Sequence, residues 1–199
     1  MNTSCISYIR RLLSDPKRTL NGLGEARLCV NVDFVEMTQG EYNSWYQVTV
    51  KDRAADLVRA GNADEEHALE SISKQFDEVL PKGLYTPEQY VRSIVDASSG
   101  QKVGVIWYGV APRRPPNLLF LSELWVKEEF RGMGYGTASL ALLEEKARQL
   151  GKSRIALHVF GHNMRAQKLY QSAGYVATNI SMAKNLQPQQ DDQSSKRRR

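Results

Sequence analysis

The 199-residue sequence has little cysteine and little histidine. Its two cysteines, Cys5 and Cys29, both precede every motif described below, and no cluster of histidine, cysteine and carboxylate residues has the spacing of zinc ligands. We therefore expect no disulfide framework, no bound metal and a reducing cytoplasm as the location. His158 and His162 stand four residues apart, and we interpret them as a strand-end residue and a loop residue rather than as a metal pair.

Long hydrophobic runs are also missing. The best apolar stretch, Val103–Val110, is far shorter than the ~20 residues that a membrane-spanning helix needs. The first residues interleave polar and charged side chains instead of forming the apolar core of a signal peptide. We expect a protein that stays in solution without membrane contact. With 41% hydrophobic residues, the chain is long enough to bury one core.

The middle of the chain has almost no net positive charge. The formal net charge is +5, of which residues 1–26 and residues 187–199 carry +2 each, so that +1 is left for residues 27–186. A part this close to neutrality gives little support for a nucleic-acid-binding face. The sequence predicts a flexible N-terminal extension at 1–26, one folded domain at 27–186 and a disordered basic tail at 187–199.

The segment Leu118–Gly136 runs from an apolar strand through a glycine-rich turn into an amphipathic helix. The start of a helix leaves backbone N–H groups without partners and carries the positive end of the helix dipole, so a pyrophosphate can bind there. Gly132, Gly134 and Gly136 lack the β-carbons that would block a close approach or forbid positive φ. Arg131 adds a permanent cation whose planar guanidinium suits phosphate oxygens. The turn is therefore a candidate anion site.

Other nucleotide-binding patterns do not fit this turn. A P-loop needs a Gly-Lys pair directly after a strand, but Gly151-Lys152 lies at the far end of the helix. A dinucleotide fingerprint would place a glycine at Thr137 and an acidic residue where the sequence has His158-Val159-Phe160. A tight turn whose glycines serve packing alone stays open as the structural alternative.

The residues after the turn predict a βαβ unit followed by one more helix. The helix after the turn ends at Gly151, and Arg154–Phe160 alternates as a strand covered on both sides would. A right-handed parallel crossover is the default connection for such a unit. Asn163 is a good N-cap for the next helix, which Gly174 closes.

The residues before the turn predict a strand and two helical segments. Arg27–Met37 contains an apolar strand. Thr38 and Glu41 form a capping box that begins a helix, and a second helical segment is expected up to Gly61.

A third helix and a hairpin should follow. The helix runs from about Asp64 to Leu80, and its apolar side is expected to consist of Leu69, Ile72, Phe76, Val79 and Leu80. Ser93–Asp96 and Lys102–Tyr108 should pair as a hairpin around the turn at Ser98–Gly100. Helices therefore come before the central strands.

Two blocks of the sequence resemble blocks typical of the GNAT superfamily of acetyl-CoA-dependent N-acyltransferases. Arg131-x-x-Gly134-x-Gly136 is similar to the coenzyme A pyrophosphate loop of that family. Asn163-x-x-Ala166-x-x-Leu169-Tyr170-x-x-x-Gly174-Tyr175 is similar to the second block, in the same order and at a matching distance. The resemblance covers about Phe34 to Leu186. It implies an α/β (α+β) fold, a GNAT-like single domain with a mixed, mostly antiparallel central sheet and a parallel βαβ crossover at the cofactor site.

The resemblance also implies acetyl-CoA as the co-substrate and assigns residues to it. The pyrophosphate, with Arg131 beside it, would lie on backbone N–H groups of Gly132, Met133, Gly134, Tyr135, Gly136 and Thr137. The pantetheine arm would pair with the strand at Leu124, Trp125 and Val126, which in this family separates from its parallel neighbour. A backbone N–H near Leu124 would polarise the thioester carbonyl, and Asn163 would hold the arm from the other side.

Two side chains are predicted to move protons. The resemblance places Tyr170 where the family has a tyrosine that gives its proton to the departing thiolate. A primary amine arrives protonated and must lose a proton before it attacks, and Glu123 beside the cofactor strand is the candidate base, directly or through water. An ordinary salt bridge at the strand edge is an equally open interpretation of Glu123.

Together these residues predict an enzyme that transfers an acetyl group from acetyl-CoA to a primary amine by direct attack in a ternary complex. No cysteine near the motifs could serve a ping-pong route. The expected partners are acetyl-CoA and an amine acceptor, either a small molecule or a protein, and the resemblance implies that the helices after the first strand shape the acceptor pocket. A homodimer stays open. The alternative function is a non-catalytic acyl-CoA-binding sensor or interaction module.

Overall fold

One five-stranded sheet organises the part of the chain that the computed structural model describes, residues 30–111 and 114–184. Its spatial order is β1 (Val32–Glu36), β2 (Gln89–Asp96), β3 (Lys102–Gly109), β4 (Leu118–Val126) and β5 (Arg154–Leu157). Strands β1 to β4 pair antiparallel with their neighbours, and β4 pairs parallel with β5. The mixed, mostly antiparallel sheet with one parallel crossover is confirmed. The predicted extension at 1–26 and tail at 187–199 lie outside the described residues.

Helices cover both sides of this sheet, and their bounds are α1 (Gln39–Arg59), α2 (Glu65–Val79), α3 (Tyr135–Gln149) and α4 (Met164–Ser172). Thr38 begins α1 through the predicted capping box with Glu41. The prediction of two helical segments before Gly61 is wrong, because α1 is one helix of 21 residues. No proline interrupts it, and the β-branched residues Thr49 and Val50 are buried, so packing outweighs their weak helix propensity. None of these helices is long and apolar enough to cross a membrane.

The side of the sheet under α1 and α2 has an aromatic core, which we define as Trp45, Phe76 and Trp107. The ring centroids of Phe76 lie 6.0 Å from Trp45 and 5.0 Å from Trp107. The expected apolar side of α2 is wrong at Leu69, which is 46% exposed, whereas Ala68 is 1% exposed. A small residue at this position lets α2 approach α1 closely, so side-chain size decides the rotation of the helix.

The opposite side of the sheet is covered by α3, whose buried residues are Ser139, Leu140, Leu143 and Ala147. The segment from β5 to α4, residues 154–172, follows and contains no buried residue. Leu169 and Tyr170 of α4 are partly buried against the α3 side of the sheet. Residues 175–184 form neither a helix nor a strand.

Candidate active site

A β-bulge in β4 decides which way the candidate residues face. Leu121 and Glu123 pair with consecutive residues of β3, so Ser122 is the extra residue of the bulge. Without it, the alternation of a strand would put Glu123 on the α3 side together with Leu121. The bulge reverses the alternation, so that Leu124 packs on the α3 side and Glu123 faces α1.

Strands β4 and β5 separate halfway along β4. Their pairing ends at Leu121 and Leu157, so the prediction of a strand as far as Phe160 is wrong. The loop after β5 instead stacks aromatic and imidazole rings on one another. The edge of β4 from Ser122 to Val126 that would face β5 has no strand partner among the described residues. Such an edge can pair with an extended ligand through backbone hydrogen bonds.

The three residues predicted to lie along the pantetheine arm all belong to this open part of β4, but their side chains differ in surroundings. Leu124 is partly buried on the α3 side. Trp125 is 38% exposed and, with Trp45, lines a groove of about 430 Å³ on the α1 side. The carbonyl oxygen of Val126 accepts a hydrogen bond from Nε of Arg131 at 3.0 Å. These three residues can therefore contact one extended ligand through their backbone, because their side chains do not form one common surface.

The turn between β4 and α3 presents backbone donors. A short 3-10 helix, Glu128–Phe130, leads into it, and Gly132 and Gly134 have φ of 84° and 96°. Gly134 is the N-cap of α3, and no side chain caps this helix start. The first hydrogen bond of the helix comes from the N–H of Ala138, so the preceding N–H groups, including that of the exposed Thr137, have no partner within the helix. This geometry suits an anion.

Two other residues of the turn have contacts of their own, and a third is exposed. A β-carbon on Gly136 would lie 3.0 Å from Cδ2 of Leu169, so this glycine lets α3 approach α4. Gly136 thus has the packing role that the sequence left open. The Tyr135 hydroxyl donates to Asp96 at 3.0 Å and ties the start of α3 to the β2–β3 hairpin. Met133 is 56% exposed and leaves the turn accessible.

Asn163 begins α4, as the sequence predicted. Its Oδ1 accepts a hydrogen bond from the N–H of Ala166 at 3.1 Å. The side-chain oxygen therefore serves the helix cap, and its amide hydrogens are the part that can reach a ligand.

Tyr170 lies two turns into α4 and is half-buried. Burial, helped by the negative charge of Glu123 and opposed by the positive charge of Arg53, raises the pKa of Tyr170 to about 12. The phenol is therefore protonated at neutral pH, as a proton donor must be. The charges of Glu123 and Arg53 therefore act on the phenol, and the role of Tyr170 as an acid stays a prediction.

Glu123 forms an ion pair, and sequence reasoning missed its partner, Arg53. Nη2 and Nε of Arg53 donate to Oε2 of Glu123 at 2.9 and 3.2 Å, and Nη2 also binds the carbonyl oxygen of Ser122. The Arg53 guanidinium lies over the rings of Phe76 and Trp107, 5.2 and 5.5 Å from their centroids. No pattern singled out Arg53, because 70 residues separate it from Glu123. The salt-bridge interpretation describes this contact, and the role of Glu123 as a base stays a prediction.

Comparison with known proteins identifies the class to which this fold and site belong. The model of the Acetyltransferase (GNAT) family matches residues 57–175. Over 151 residues, the chain is 34% identical to the uncharacterized N-acetyltransferase YdgE of Bacillus subtilis (strain 168), covering 76% of this chain and 96% of that protein. It is 36% identical over 151 residues to the uncharacterized N-acetyltransferase YycN of the same strain, covering 75% and 96%. The chain therefore belongs to the GNAT acetyltransferase family.

Solved structures agree with this assignment. The crystal structure of YycN from Bacillus subtilis matches with a TM-score of 0.73 at 32% identity, over 79% of this chain and 100% of that one. The aminoglycoside N-acetyltransferase AAC(6')-Iy in complex with CoA matches with a TM-score of 0.50 at 14% identity, over 80% of this chain and 97% of that one. The second likeness shows the shared fold alone, whereas the first also supports the family.

Proposed function

We propose that this GNAT acetyltransferase transfers an acetyl group from acetyl-CoA to a primary amine, by direct attack of the amine in a ternary complex. The observation that carries the proposal is the continuity of two binding features. The open edge of β4, Ser122–Val126, leads within ten residues into the uncapped start of α3 at Tyr135. One segment thus offers backbone partners for an extended arm and, at its end, N–H donors for a pyrophosphate.

The residues of this segment fit acetyl-CoA. A β-carbon on Gly132 would meet no atom of the described residues within 4 Å, so none of them covers the backbone there. Arg131 uses Nε to bind the Val126 carbonyl, which holds its guanidinium beside the turn and leaves other N–H groups for phosphate oxygens. Asn163 would hold the arm from the α4 side. When bound, acetyl-CoA supplies the acetyl group as an activated thioester.

The protons of the reaction would pass through Tyr170. Its phenol donates to the sulfur as the C–S bond breaks, and the amine nitrogen has a proton to lose in the same event. Burial raises the pKa of Tyr170 to about 12, which makes a lasting phenolate unfavourable. When Tyr170 gives its proton to the sulfur, its oxygen therefore takes another proton at once. The attacking amine nitrogen supplies that proton.

The acceptor is proposed only as a primary amine. The relatives YdgE and YycN are named as N-acetyltransferases without a substrate, and AAC(6')-Iy shares the fold alone. The helices α1 and α2 face the side of β4 that carries Glu123, which supports their role in shaping the acceptor pocket. The scarcity of cysteine supports a cytoplasmic location.

The test combines binding with turnover. Calorimetry should detect acetyl-CoA binding, and a thiol reagent should detect release of coenzyme A with at least one amine among spermidine, kanamycin, a lysine-containing peptide and a peptide with a free amino terminus. Tyr170→Phe should lower kcat by about 10²-fold, the usual scale for a lost general acid, while the acetyl-CoA Kd changes less than about twofold. Tyr85→Phe is the matched control, because Tyr85 is 77% exposed.

Two outcomes would count against these assignments. Binding of acetyl-CoA without thiol release for any amine would favour the sensor alternative. An unchanged kcat in Tyr170→Phe would remove this residue from the mechanism and leave the acetyl transfer itself standing.

A further inference from the structure

An imidazole–carboxylate pair joins α1 to the loop after β5. Nε2 of His162 lies 3.0 Å from Oδ1 of Asp56, although 106 residues separate them in sequence. Because a carboxylate only accepts hydrogen bonds, Nε2 carries the hydrogen, and Nδ1 of the neutral ring keeps its lone pair. The His162 ring also stacks on Phe160, with centroids 5.4 Å apart and planes 13° apart. Two contacts therefore fix the orientation of the ring and leave Nδ1 as a base.

The loop that carries His162 is held from α4. Nε2 of Gln167 donates to the carbonyl oxygens of Phe160 and Gly161 at 3.1 and 2.9 Å. The next residue, Asn163, caps the helix that carries Tyr170. His162 is thus built into the same short stretch as the predicted pantetheine contact and the predicted acid.

Helix α1 spans the gap between β4 and this loop. Arg53 contacts Glu123 on β4, and Asp56, three residues further on, contacts His162. One helical turn rises only about 5.4 Å, so these two contacts of α1 are neighbours. The His162–Asp56 pair and Glu123 therefore contact the same part of α1, and the charge of Glu123 acts on Tyr170.

The charged and titratable groups around the pair come from α1 and from the loop itself. Arg59 of α1 lies 3.6 Å from the same oxygen of Asp56. On the loop, His158 contacts the ring of Phe160 edge-on, with centroids 5.1 Å apart. Side chains of His162 and Asp56 are 28% and 34% exposed, so an amine from solvent can reach them. No group of three or more metal-ligating side chains is found among the described residues.

Building on the acetyl transfer proposed above, we propose that His162 is a catalytic residue that accepts the proton of the incoming ammonium, and that Asp56 is its positioning residue. An imidazole changes charge between about pH 5 and 8, which suits a base that works near neutrality. Glu123 is less free for this task, because Arg53 holds one of its oxygens with two nitrogens.

The proton balance is complete without another reactant. Nδ1 of His162 accepts one proton from the ammonium, and the free amine attacks the acyl carbon. The C–N bond forms and the C–S bond breaks, the sulfur leaves with the proton of Tyr170, and a second nitrogen proton returns to the Tyr170 oxygen. The imidazolium then gives its proton to water. One ammonium and one thioester become one amide, one thiol and one released proton.

The test compares His162→Gln and Asp56→Asn with a matched control, His67→Gln. His67 forms a similar pair with Asp64, 2.7 Å from Nδ1 to Oδ1, but at the exposed start of α2. Thiol release from acetyl-CoA with the four amine probes named above is followed from about pH 5.5 to about pH 9.5, a range that extends above the one in which an ordinary imidazole changes charge. The acetyl-CoA Kd and the melting temperature are measured for every variant.

We expect His162→Gln to lower kcat/KM for the amine by about 10²-fold at neutral pH and to abolish the acid limb of its pH profile. Asp56→Asn should lower kcat/KM by about tenfold and change the acid limb, because the imidazolium loses its partner charge. His67→Gln should leave both unchanged. Free imidazole should restore part of the activity of His162→Ala, and all variants should keep the wild-type acetyl-CoA Kd within about twofold.

Different results would contradict the role of His162 and the proposed acetyl transfer. If His162→Gln keeps its acid limb and loses less than about threefold in kcat/KM, the pair is only a tether between α1 and the loop. If imidazole rescues nothing and the loss follows a lower melting temperature, the proposal fails in the same way. If the wild type releases no thiol with any amine, the proposed function fails and this role with it. Should the His162 variants not fold, Asp56→Asn decides, because it keeps the imidazole and removes only the charge of its partner.

Discussion

The aromatic core and the β5–α4 segment, residues 154–172, differ in how far their side chains are buried. In the aromatic core, Trp45, Phe76 and Trp107 are 8%, 2% and 2% exposed, and the rings touch one another. The β5–α4 segment has no buried residue, and its strand has four residues. Yet this segment contains the candidate acid Tyr170 and the proposed base His162. The groups that would meet a substrate thus lie in a segment without a buried residue.

This difference separates the stability of the fold from the geometry of the site. Regions with few buried apolar contacts open at low cost in free energy, and binding of a ligand then stabilises them. The β5–α4 segment fits that description, whereas the aromatic core resembles the regions that unfold only globally. The connection between the two is α1, whose Arg53 lies over the aromatic core and whose Asp56 reaches His162.

The largest expected effect is the difference in lost stability between one substitution in the aromatic core and one in the β5–α4 segment. Phe76→Ala should lower the free energy of unfolding by about 3–5 kcal/mol, because it removes a ring that is 2% exposed from a packed cluster. Leu169→Ala in α4 removes a partly buried side chain and should cost about 1–2 kcal/mol. Urea denaturation followed by tryptophan fluorescence measures both. Equal losses would break the comparison.

A smaller contrast is expected between two glycines of the turn. Gly134→Ala should cost about 1–2 kcal/mol, since its φ of 96° strains any side chain, and should weaken acetyl-CoA binding. Gly136→Ala meets only the end of the Leu169 side chain and should cost less than Gly134→Ala.

A double-mutant cycle sharpens this contrast. In the Leu169→Ala background the contact is gone, so Gly136→Ala should become neutral or stabilising, because alanine favours a helix over glycine by about 1 kcal/mol. If Gly136→Ala stays equally destabilising there, Leu169 is not the residue that requires this glycine. Thermal denaturation with and without acetyl-CoA provides both readouts.

The smallest expected effect is a difference in pH dependence. Hydrogen bonds from Lys102 and Thr38 lower the pKa of Glu41 at the start of α1 to about 2. Its folded pKa lies below the unfolded one of about 4.5, so its contribution to stability is complete above pH 4.5 and is lost as the pH falls towards 2. The pKa of Tyr170 is raised to about 12, so its contribution is complete below its ordinary value of about 10 and is lost as the pH rises towards 12.

Melting temperatures across pH measure this difference. Glu41→Gln should make the acid side of the curve less steep and leave the alkaline side unchanged, and Tyr170→Phe should do the reverse. The side chain of Glu41 is 32% exposed, so the acid effect will be modest. If both variants changed the same side of the curve, Glu41 and Tyr170 would not account separately for the acid and the alkaline pH dependence.

Local features of this molecule followed from neighbouring residues. The Thr38 capping box, the β2–β3 hairpin, the start of α3 at the glycine turn and the Asn163 cap each depend on residues within a few positions of one another. Leu69 was misplaced because two adjacent apolar residues fit the helical period equally well, and only the approach of α1 favours Ala68. Phe160 was assigned to a strand because alternation cannot show where a partner strand ends.

By itself the sequence determined the βαβ unit, the hairpin and the helix caps, because backbone propensities and short-range caps act over few residues. The class of fold followed from the two blocks that resemble the family. Only the tertiary structure decided the direction of Glu123, its pairing with Arg53, and the meeting of Asp56 with His162. One extra residue at Ser122 turns Glu123 to the other face of the sheet, and partners 70 and 106 residues apart meet only through packing of α1 across the gap. Contacts over such distances depend on how whole elements pack, which no local pattern records.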